Sequence, residues 1–259
     1  MNRSLSSLPK LLLRGASVLL AASAFSQSGP SPVRISGSTT VFTNIYQALK
    51  ESISKDSGEA IDIISNGSRQ GLSDLAAGKS DIAMISAPLD ELLPRLTEQE
   101  RKTLDPSAVT VSTLAETQLV FIVHESNPVK SLTIAQISDL FTGAVTNWKQ
   151  VGGPDLPVEI VSNQFSSGQR AVLEEKVTGG KKVVTTAKQV VNDPLIPGIV
   201  RQLKGALGHS GAKNDLKGVA ILKTDKTISQ PMLLVSLGKP SGRIAKVIAA
   251  SKKAAATVH

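Results

Sequence analysis

The feature that most constrains the fold is a regular alternation of short apolar runs with segments of helical periodicity. The apolar runs predict strands at 33–36, 61–65, 80–86, 109–114, 119–123, 157–162, 218–222 and 231–237. The helical segments lie at 40–55, 69–78, 133–143, 193–206 and 241–255. Such alternation predicts an α/β fold with largely parallel sheets. The 259 residues suffice for one large domain or two lobes with cores of their own.

Two of the predicted helices carry further local signals. Asp193 is expected to cap the helix at 193–206, with Pro194 at its first position. The first helix should bury one apolar face, made of Val41, Ile45, Ala48 and Leu49.

Residues 1–26 have the pattern of a secretory signal peptide. Basic residues precede an uncharged apolar run at 15–25, and Ala22-Ser23-Ala24 offers a small-residue cleavage site. The run is shorter than the about 20 apolar residues that a membrane-spanning helix requires. We therefore expect cleavage near residue 26 and a mature protein in the periplasm.

The composition argues against several kinds of function. Aromatic residues make up 3% of the chain, which disfavours the stacking platforms of nucleic-acid binding. There is no cysteine, and the three histidines (124, 209 and 259) lack ligand spacing, so we expect neither disulfides nor a metal or other cofactor. The net charge of +8 (29 minus 21) falls to about +5 without the three basic residues of the signal segment, a value compatible with an anionic ligand.

Four segments that follow predicted strands share one composition. They are SGSTTV (36–41), SNGSRQG (65–71), ISAPL (85–89) and NQFSSGQR (163–170), and three of them open a helix. A helix N-terminus presents unpaired N–H groups and the positive end of the helix dipole, while hydroxyls add donors. Each serine or threonine taken alone is better explained as an ordinary N-cap. Four such loops at the carboxyl ends of strands favour a shared anion site.

Apparent catalytic motifs fail in their details. AAGKS (76–80) has Ser73 where a P-loop needs glycine, and it closes a helix instead of opening one. FSSGQ lacks the flanking glycines of a nucleophile elbow. The carboxylate pairs at 90–91 and 174–175 are expected on solvated helical surfaces. The sequence thus predicts a protein that is not an enzyme.

In their order along the chain, these segments resemble the periplasmic substrate-binding proteins of phosphate-type ABC transporters. The matching stretches are GSTTV (37–41), the loop, helix and strand at 66–89, and SSGQR (166–170). The strand, Asn-Pro turn, helix and NW..VGG of residues 116–161 are the most characteristic part. KGALGHSG (204–211) falls where the family has a return strand.

The resemblance implies a two-lobed type 2 periplasmic binding fold with a central ligand cleft. One lobe would consist of 33–115 plus 215–259 and the other of 116–214. The implied ligand is phosphate or a related oxyanion, and the implied partner is the membrane permease of an ABC transporter. The protein itself is expected to be a monomer. The ligand contacts carried over are Ser38, Thr39, Gly67, Ser68, Arg69, Ser86, Ser166, Ser167, Gly168 and Gln169.

The sequence departs from the family pattern at three positions. Ser86 stands where phosphate binders commonly have aspartate, Asn163 where they have arginine, and Gln169 where they have threonine. A buried carboxylate accepts the proton that phosphate still carries, and it repels an oxyanion that has none. We therefore expect an anion site that separates phosphate from sulfate poorly. The alternative is an exported protein of this fold that has lost phosphate specificity and acts in sensing, adhesion or scaffolding.

Overall fold

The computed structural model describes residues 30–191 and 193–258. The strands are β1 Val33–Gly37, β2 Ile61–Ser65, β3 Ile82–Ile85, β4 Val109–His124, β5 Ser131–Leu132, β6 Glu159–Asn163, β7 Lys188–Val190, β8 Ala206–Gly211, β9 Val219–Ile221, β10 Lys223–Thr224 and β11 Ile228–Leu237. The α-helices are α1 Thr39–Val41, α2 Gln47–Ser57, α3 Ser68–Ala76, α4 Leu89–Leu92, α5 Glu98–Thr103, α6 Ile134–Thr142, α7 Gly168–Val172, α8 Leu195–Val200 and α9 Gly242–Ala255. Shorter turns are π-helical at Phe42–Tyr46 and Leu173–Val177, and 3₁₀ at Leu93–Arg95 and Trp148–Val151.

The larger sheet has the order β2-β1-β3-β11-β4-β8-β6-β7, with β9 also paired to β4. β1, β2 and β3 are parallel to one another, and so are β6, β7 and β8. β11 and β4 run antiparallel to their neighbours in the middle of the sheet. The predicted α/β class is confirmed, with a mixed centre between two parallel groups.

β4 is one strand of 16 residues, although the sequence predicted two. Polar residues at 116–118 interrupt the apolar pattern, but their backbones continue the ladder with β11. Near Leu119 the pairing of β4 passes from β11 to β8. This crossing lies close to residue 115, where the sequence analysis divided the lobes; that division stays a prediction.

The first helix is extended by a π-helical turn, which changes the face it buries. α1, the turn Phe42–Tyr46 and α2 follow one another without a break from residue 39 to 57. Val41 and Ile45 are buried as predicted, whereas the prediction for Ala48 is wrong because that residue is exposed. The wider turn shifts the helical register, and Tyr46 is fully buried instead.

The helix predicted at 193–206 is shorter in the structure, where α8 covers Leu195–Val200. Asp193 does not cap it, because its carboxylate is bonded to distant residues. Residues 206–211 instead form β8, which lies between β4 and β6.

Buried apolar side chains of the described residues form three clusters. The largest buried side chains are Trp148, Tyr46, Phe121 and Phe141. The indole N–H of Trp148 donates to the carbonyl of Gly205 at 2.9 Å, which satisfies its polar atom inside the core. The Asn-Trp motif of the sequence therefore anchors the start of β8.

Across 30–191 and 193–258, none of the helices combines the length and apolar character that crossing a bilayer requires. The predicted signal peptide, 1–26, lies outside the described residues.

Candidate functional site

The first three polar loops begin at one edge of the sheet. In the parallel register Gly37 of β1 pairs with Ser65 of β2 and with Met84 of β3. The strands therefore end side by side, and the chain leaves each of them in the same direction. This register explains why loops distant in sequence meet in space.

Ser38 begins the first helix and is almost completely buried. Its hydroxyl accepts the N–H of Val41 at 3.2 Å, and its own N–H donates to the carbonyl of Met84 at 2.8 Å. As first-turn residues, Thr39 and Thr40 have N–H groups without an acceptor inside the helix. The first loop thus combines an N-cap serine with backbone donors at the positive end of a long helix.

The second and third loops contact each other through their serines. Gly67 adopts φ 94°, which allows the chain to turn sharply into α3. The hydroxyl of Ser68 accepts the N–H of Ser86 at 3.1 Å, and the two hydroxyl oxygens lie 3.4 Å apart. Both side chains are buried, so two predicted donors form one polar cluster.

The fourth loop crosses over this cluster. A Cβ added to Gly168 would lie 2.6 Å from the hydroxyl oxygen of Ser86 and closer still to that of Ser68. A side chain at this position would force the two hydroxyls or the loop to shift, so the absence of a Cβ allows the close approach of the loops. The carbonyl of Ser166 accepts the backbone N–H of Arg69 at 3.1 Å. Three loops from different parts of the chain are in direct contact here.

The remaining residues of the fourth loop are tied to the protein interior. The hydroxyl of Ser167 caps α7 by accepting the N–H of Arg170 at 3.5 Å. The side-chain amide of Gln169 is fully buried and donates to Gln230 at 3.4 Å. Among the described residues, Oε1 of Gln169 has no hydrogen-bond partner. Gln169 therefore holds α7 against β11, a role that the sequence alone did not suggest.

A buried carboxylate that the sequence analysis missed stands beside the first loop. The hydroxyl of Thr40 donates to one oxygen of Asp193, and the amide of Asn163 donates to the other at 2.6 Å. Asp193 is 2% exposed. Burial raises the pKa of Asp193 to about 6, against the effect of its two hydrogen bonds. Asp193 lies outside the four polar loops. The Asp-Pro pair that it forms with Pro194 had indicated only a helix cap.

The charge of Arg170 beside the fourth loop is only partly offset by Glu174, because Glu174 is shared with Arg95 and Lys182. The guanidinium of Arg170 donates to Glu174 at 3.0 Å and to the carbonyl of Asn163 at 3.0 Å. Glu174 also binds Arg95 at 2.9 Å. The expectation of a solvated Glu174 is wrong, since the residue is 1% exposed and lies among cations from two parts of the chain.

A buried serine–histidine pair resembles part of a hydrolase site. Nε2 of His209 lies 2.8 Å from the hydroxyl of Ser162, and both residues are fully buried. Burial, together with the charge of Arg170, lowers the pKa of His209 to about 3. A general base needs access to substrate and a pKa near the working pH, so this pair fits a structural role.

The arrangement can hold a small anion through neutral donors. Its groups are serine and threonine hydroxyls and first-turn backbone N–H groups at three helix starts, together with Ser86 at the end of β3. The structure brings Ser68, Ser86 and Gly168 together, and it joins Ser166 to Arg69 through the backbone. Ser38 and Thr39 lie at the same sheet edge, next to Asp193.

The chain is similar to a family model, to proteins named as phosphate-binding and to a solved structure. A family model described as a PBP superfamily domain matches residues 22–256. The phosphate-binding protein PstS of Staphylococcus epidermidis is 26% identical over 236 residues, covering 84% of this chain and 70% of that protein. PstS of Bacillus subtilis is 24% identical, and the match spans 64% of its length. A crystal structure assigned as a phosphate ABC transporter substrate-binding protein from Clostridium perfringens, with bound phosphate, superposes with a TM-score of 0.71 at 27% identity, covering 85% of this chain and 92% of that one.

Proposed function

The chain belongs to the PBP superfamily domain family, and on that premise we propose that it is a solute-binding protein for phosphate or a related oxyanion. It delivers the ion to the membrane permease of an ABC transporter. It works as a periplasmic monomer and catalyses no reaction. Its relatives in Staphylococcus and Bacillus are named phosphate-binding proteins, which supports this class of ligand.

The contact between Gly168, Ser68 and Ser86 is the observation that carries the proposal. It brings two helix starts and a strand end from separate parts of the chain to one point. Such helix starts attract an anion through oriented N–H groups and the positive ends of their dipoles. The hydroxyl of Ser38 stands at a further helix start, and Ser167 caps the helix that Gly168 begins. These two hydroxyls complete the donor set.

Binding is coupled to closure of the cleft between the two predicted lobes. Ser38, Ser68 and Ser86 belong to one lobe, and Ser167 and Gly168 belong to the other. An ion that accepts hydrogen bonds from both sides favours the closed state by its differential affinity. The long strand β4, which pairs with β11 and then with β8, supports a hinge at this crossing.

A thermal-shift experiment on the full chain tests the proposal. Phosphate, sulfate, arsenate and molybdate are added in turn, and the rise in Tm reports binding to the folded state. We expect at least one ion to raise the Tm of the wild type. The combined variant Ser38→Ala, Ser68→Ala and Ser167→Ala should lose that rise.

The matched control replaces three serines outside the site: Ser131→Ala, Ser138→Ala and Ser241→Ala. This variant should keep the full ion-induced shift. If no oxyanion raises the Tm of the wild type, the proposal fails, and a role in sensing, adhesion or scaffolding is favoured instead. An equal shift in the wild type and the site variant would place the ion elsewhere and contradict the site.

A further inference from the structure

A pocket opens directly beside the first loop and is separate from the loop contacts described above. Its volume is about 250 Å³, and it is lined by Thr39, Phe42, Thr43, Ser65, Pro194 and Leu195. Thr39 is also the first residue of the helix that the anion loop begins. Ser65 ends β2 at the same sheet edge. The pocket therefore shares Thr39 with the predicted ligand contacts.

The lining of this pocket does not suit an inorganic ion. Phe42, Pro194 and Leu195 supply apolar surface, and no charged side chain is among the lining residues that the structure describes. Leu195 is 49% exposed, at the point where it borders the pocket. A tetrahedral oxyanion gains nothing from such a surface, whereas an organic substituent does.

The walls are held at a fixed distance from each other. Thr40 donates to Asp193, and this bond ties the segment carrying Pro194 and Leu195 to the helix carrying Phe42. Phe42 and Thr43 lie in the π-helical turn Phe42–Tyr46. Turns of this kind are rare, and they are often found at functional sites, where they redirect side chains.

The predicted ligand contacts of the anion site include no carboxylate. The buried Asp193 stands beside them, bonded to Thr40 and to Asn163. A phosphate monoester has a second pKa of about 6 and carries no proton on its head group at neutral pH. Its three terminal oxygens accept hydrogen bonds and donate none. Such a head group can therefore bind through hydroxyls and N–H groups without a carboxylate to accept a proton.

We infer that the preferred ligand is a phosphate monoester with a short apolar substituent, whose phosphoryl group binds at the loops and whose substituent fills the pocket beside Thr39. This inference rests on the proposed function and narrows its ligand. The volume limits the substituent, since ligand pockets for drug-sized molecules begin at about 300 Å³. A propyl or phenyl group fits this limit, and a nucleoside is too large.

Calorimetric titration of the full chain with inorganic phosphate, methyl phosphate, propyl phosphate and phenyl phosphate tests the inference. Burial of each methylene group strengthens binding by up to about fourfold. We expect propyl phosphate to bind about tenfold more tightly than methyl phosphate. Propyl phosphate that binds no better than methyl phosphate overturns the inference.

Two pocket variants sharpen the experiment. Thr43→Phe should fill the pocket and remove the advantage of propyl phosphate, while the affinity for methyl phosphate changes less than about twofold. Leu195→Ala, at a half-exposed position, should reduce the same advantage by shortening one wall. Ala48→Phe is the control, because Ala48 is exposed on the helical segment that also carries Thr43 and does not line the pocket. It should change neither affinity.

The outcomes separate this inference from the proposed function. If inorganic phosphate binds and the monoesters do not, the inference fails and the proposed function stands. If none of the four ligands binds, the inference fails, and the proposed function is then decided by sulfate, arsenate and molybdate in the thermal-shift experiment. If Thr43→Phe lowers the affinity for all four ligands equally, the substituent does not bind in the pocket, and the inference fails.

Discussion

Replacement of the buried Asp193 with asparagine should make the protein more stable at neutral pH. In the folded protein burial raises the pKa of this carboxyl from 3.8 to about 6. Each unit of pKa difference corresponds to about 1.36 kcal/mol. The ionised form therefore costs roughly 3 kcal/mol above pH 6. Asparagine keeps both contacts, since its oxygen accepts from Asn163 and its amide donates to Thr40.

The sign of the pH dependence follows from proton binding. Between about pH 4 and pH 6 the folded protein holds this proton while the unfolded chain has released it. The contribution of Asp193 to stability is fully present below pH 4 and is lost as the pH rises through 6. The free energy of unfolding of the wild type should therefore fall, relative to Asp193→Asn, by roughly 3 kcal/mol across this range.

Urea denaturation of both proteins at about pH 4, 5, 6 and 7 measures this difference. Asp155→Asn is the control, because Asp155 is an exposed carboxyl whose pKa is lowered by hydrogen bonds from Lys149 and Asn147. It should show no loss of stability with rising pH of the kind expected for Asp193. A difference between wild type and Asp193→Asn that stays constant from pH 4 to pH 7 would refute the reasoning.

Three further results are expected. Glu174→Gln leaves Arg95 and Arg170 buried without a full counter-charge, so urea denaturation should show a loss of about 3–5 kcal/mol, whereas Glu98→Gln at an exposed pair should change little. Gly168→Ala should push the fourth loop away from Ser86 and weaken phosphate binding about tenfold or more in calorimetry, while Gly198→Ala, which has open space around it, should leave affinity unchanged. Phosphate and sulfate should bind with affinities within about tenfold of each other, because no carboxylate is among the predicted ligand contacts, and a phosphate preference above about a hundredfold would contradict this.

Local signals allowed most elements to be predicted from the sequence. Thr133 and Gln136 form a capping box, and Gly143 ends the same helix in the left-handed conformation. These contacts join residues that are three to ten positions apart, so sequence spacing reveals them. The four polar loops were identified for the same reason, because each follows an apolar run directly.

Long-range partners explain what the sequence could not reveal. Asp193 bonds to Thr40 across 153 positions, and nothing near it in the chain indicates that contact. Glu174 is buried because it forms an ion pair with Arg95, which lies far away in the sequence. The continuity of β4 depends on β11, whose ladder continues past the polar residues at 116–118. In each case the tertiary contact overrides a correct local pattern.

The most direct test of the central claim is calorimetric titration of the full chain with inorganic phosphate, before and after Ser38→Ala, Ser68→Ala and Ser167→Ala are combined. The account predicts saturable binding of one ion per chain in the wild type and loss of that binding in the variant. Absence of binding heat with phosphate, sulfate, arsenate and molybdate in the wild type, or unchanged binding in the variant, would contradict it.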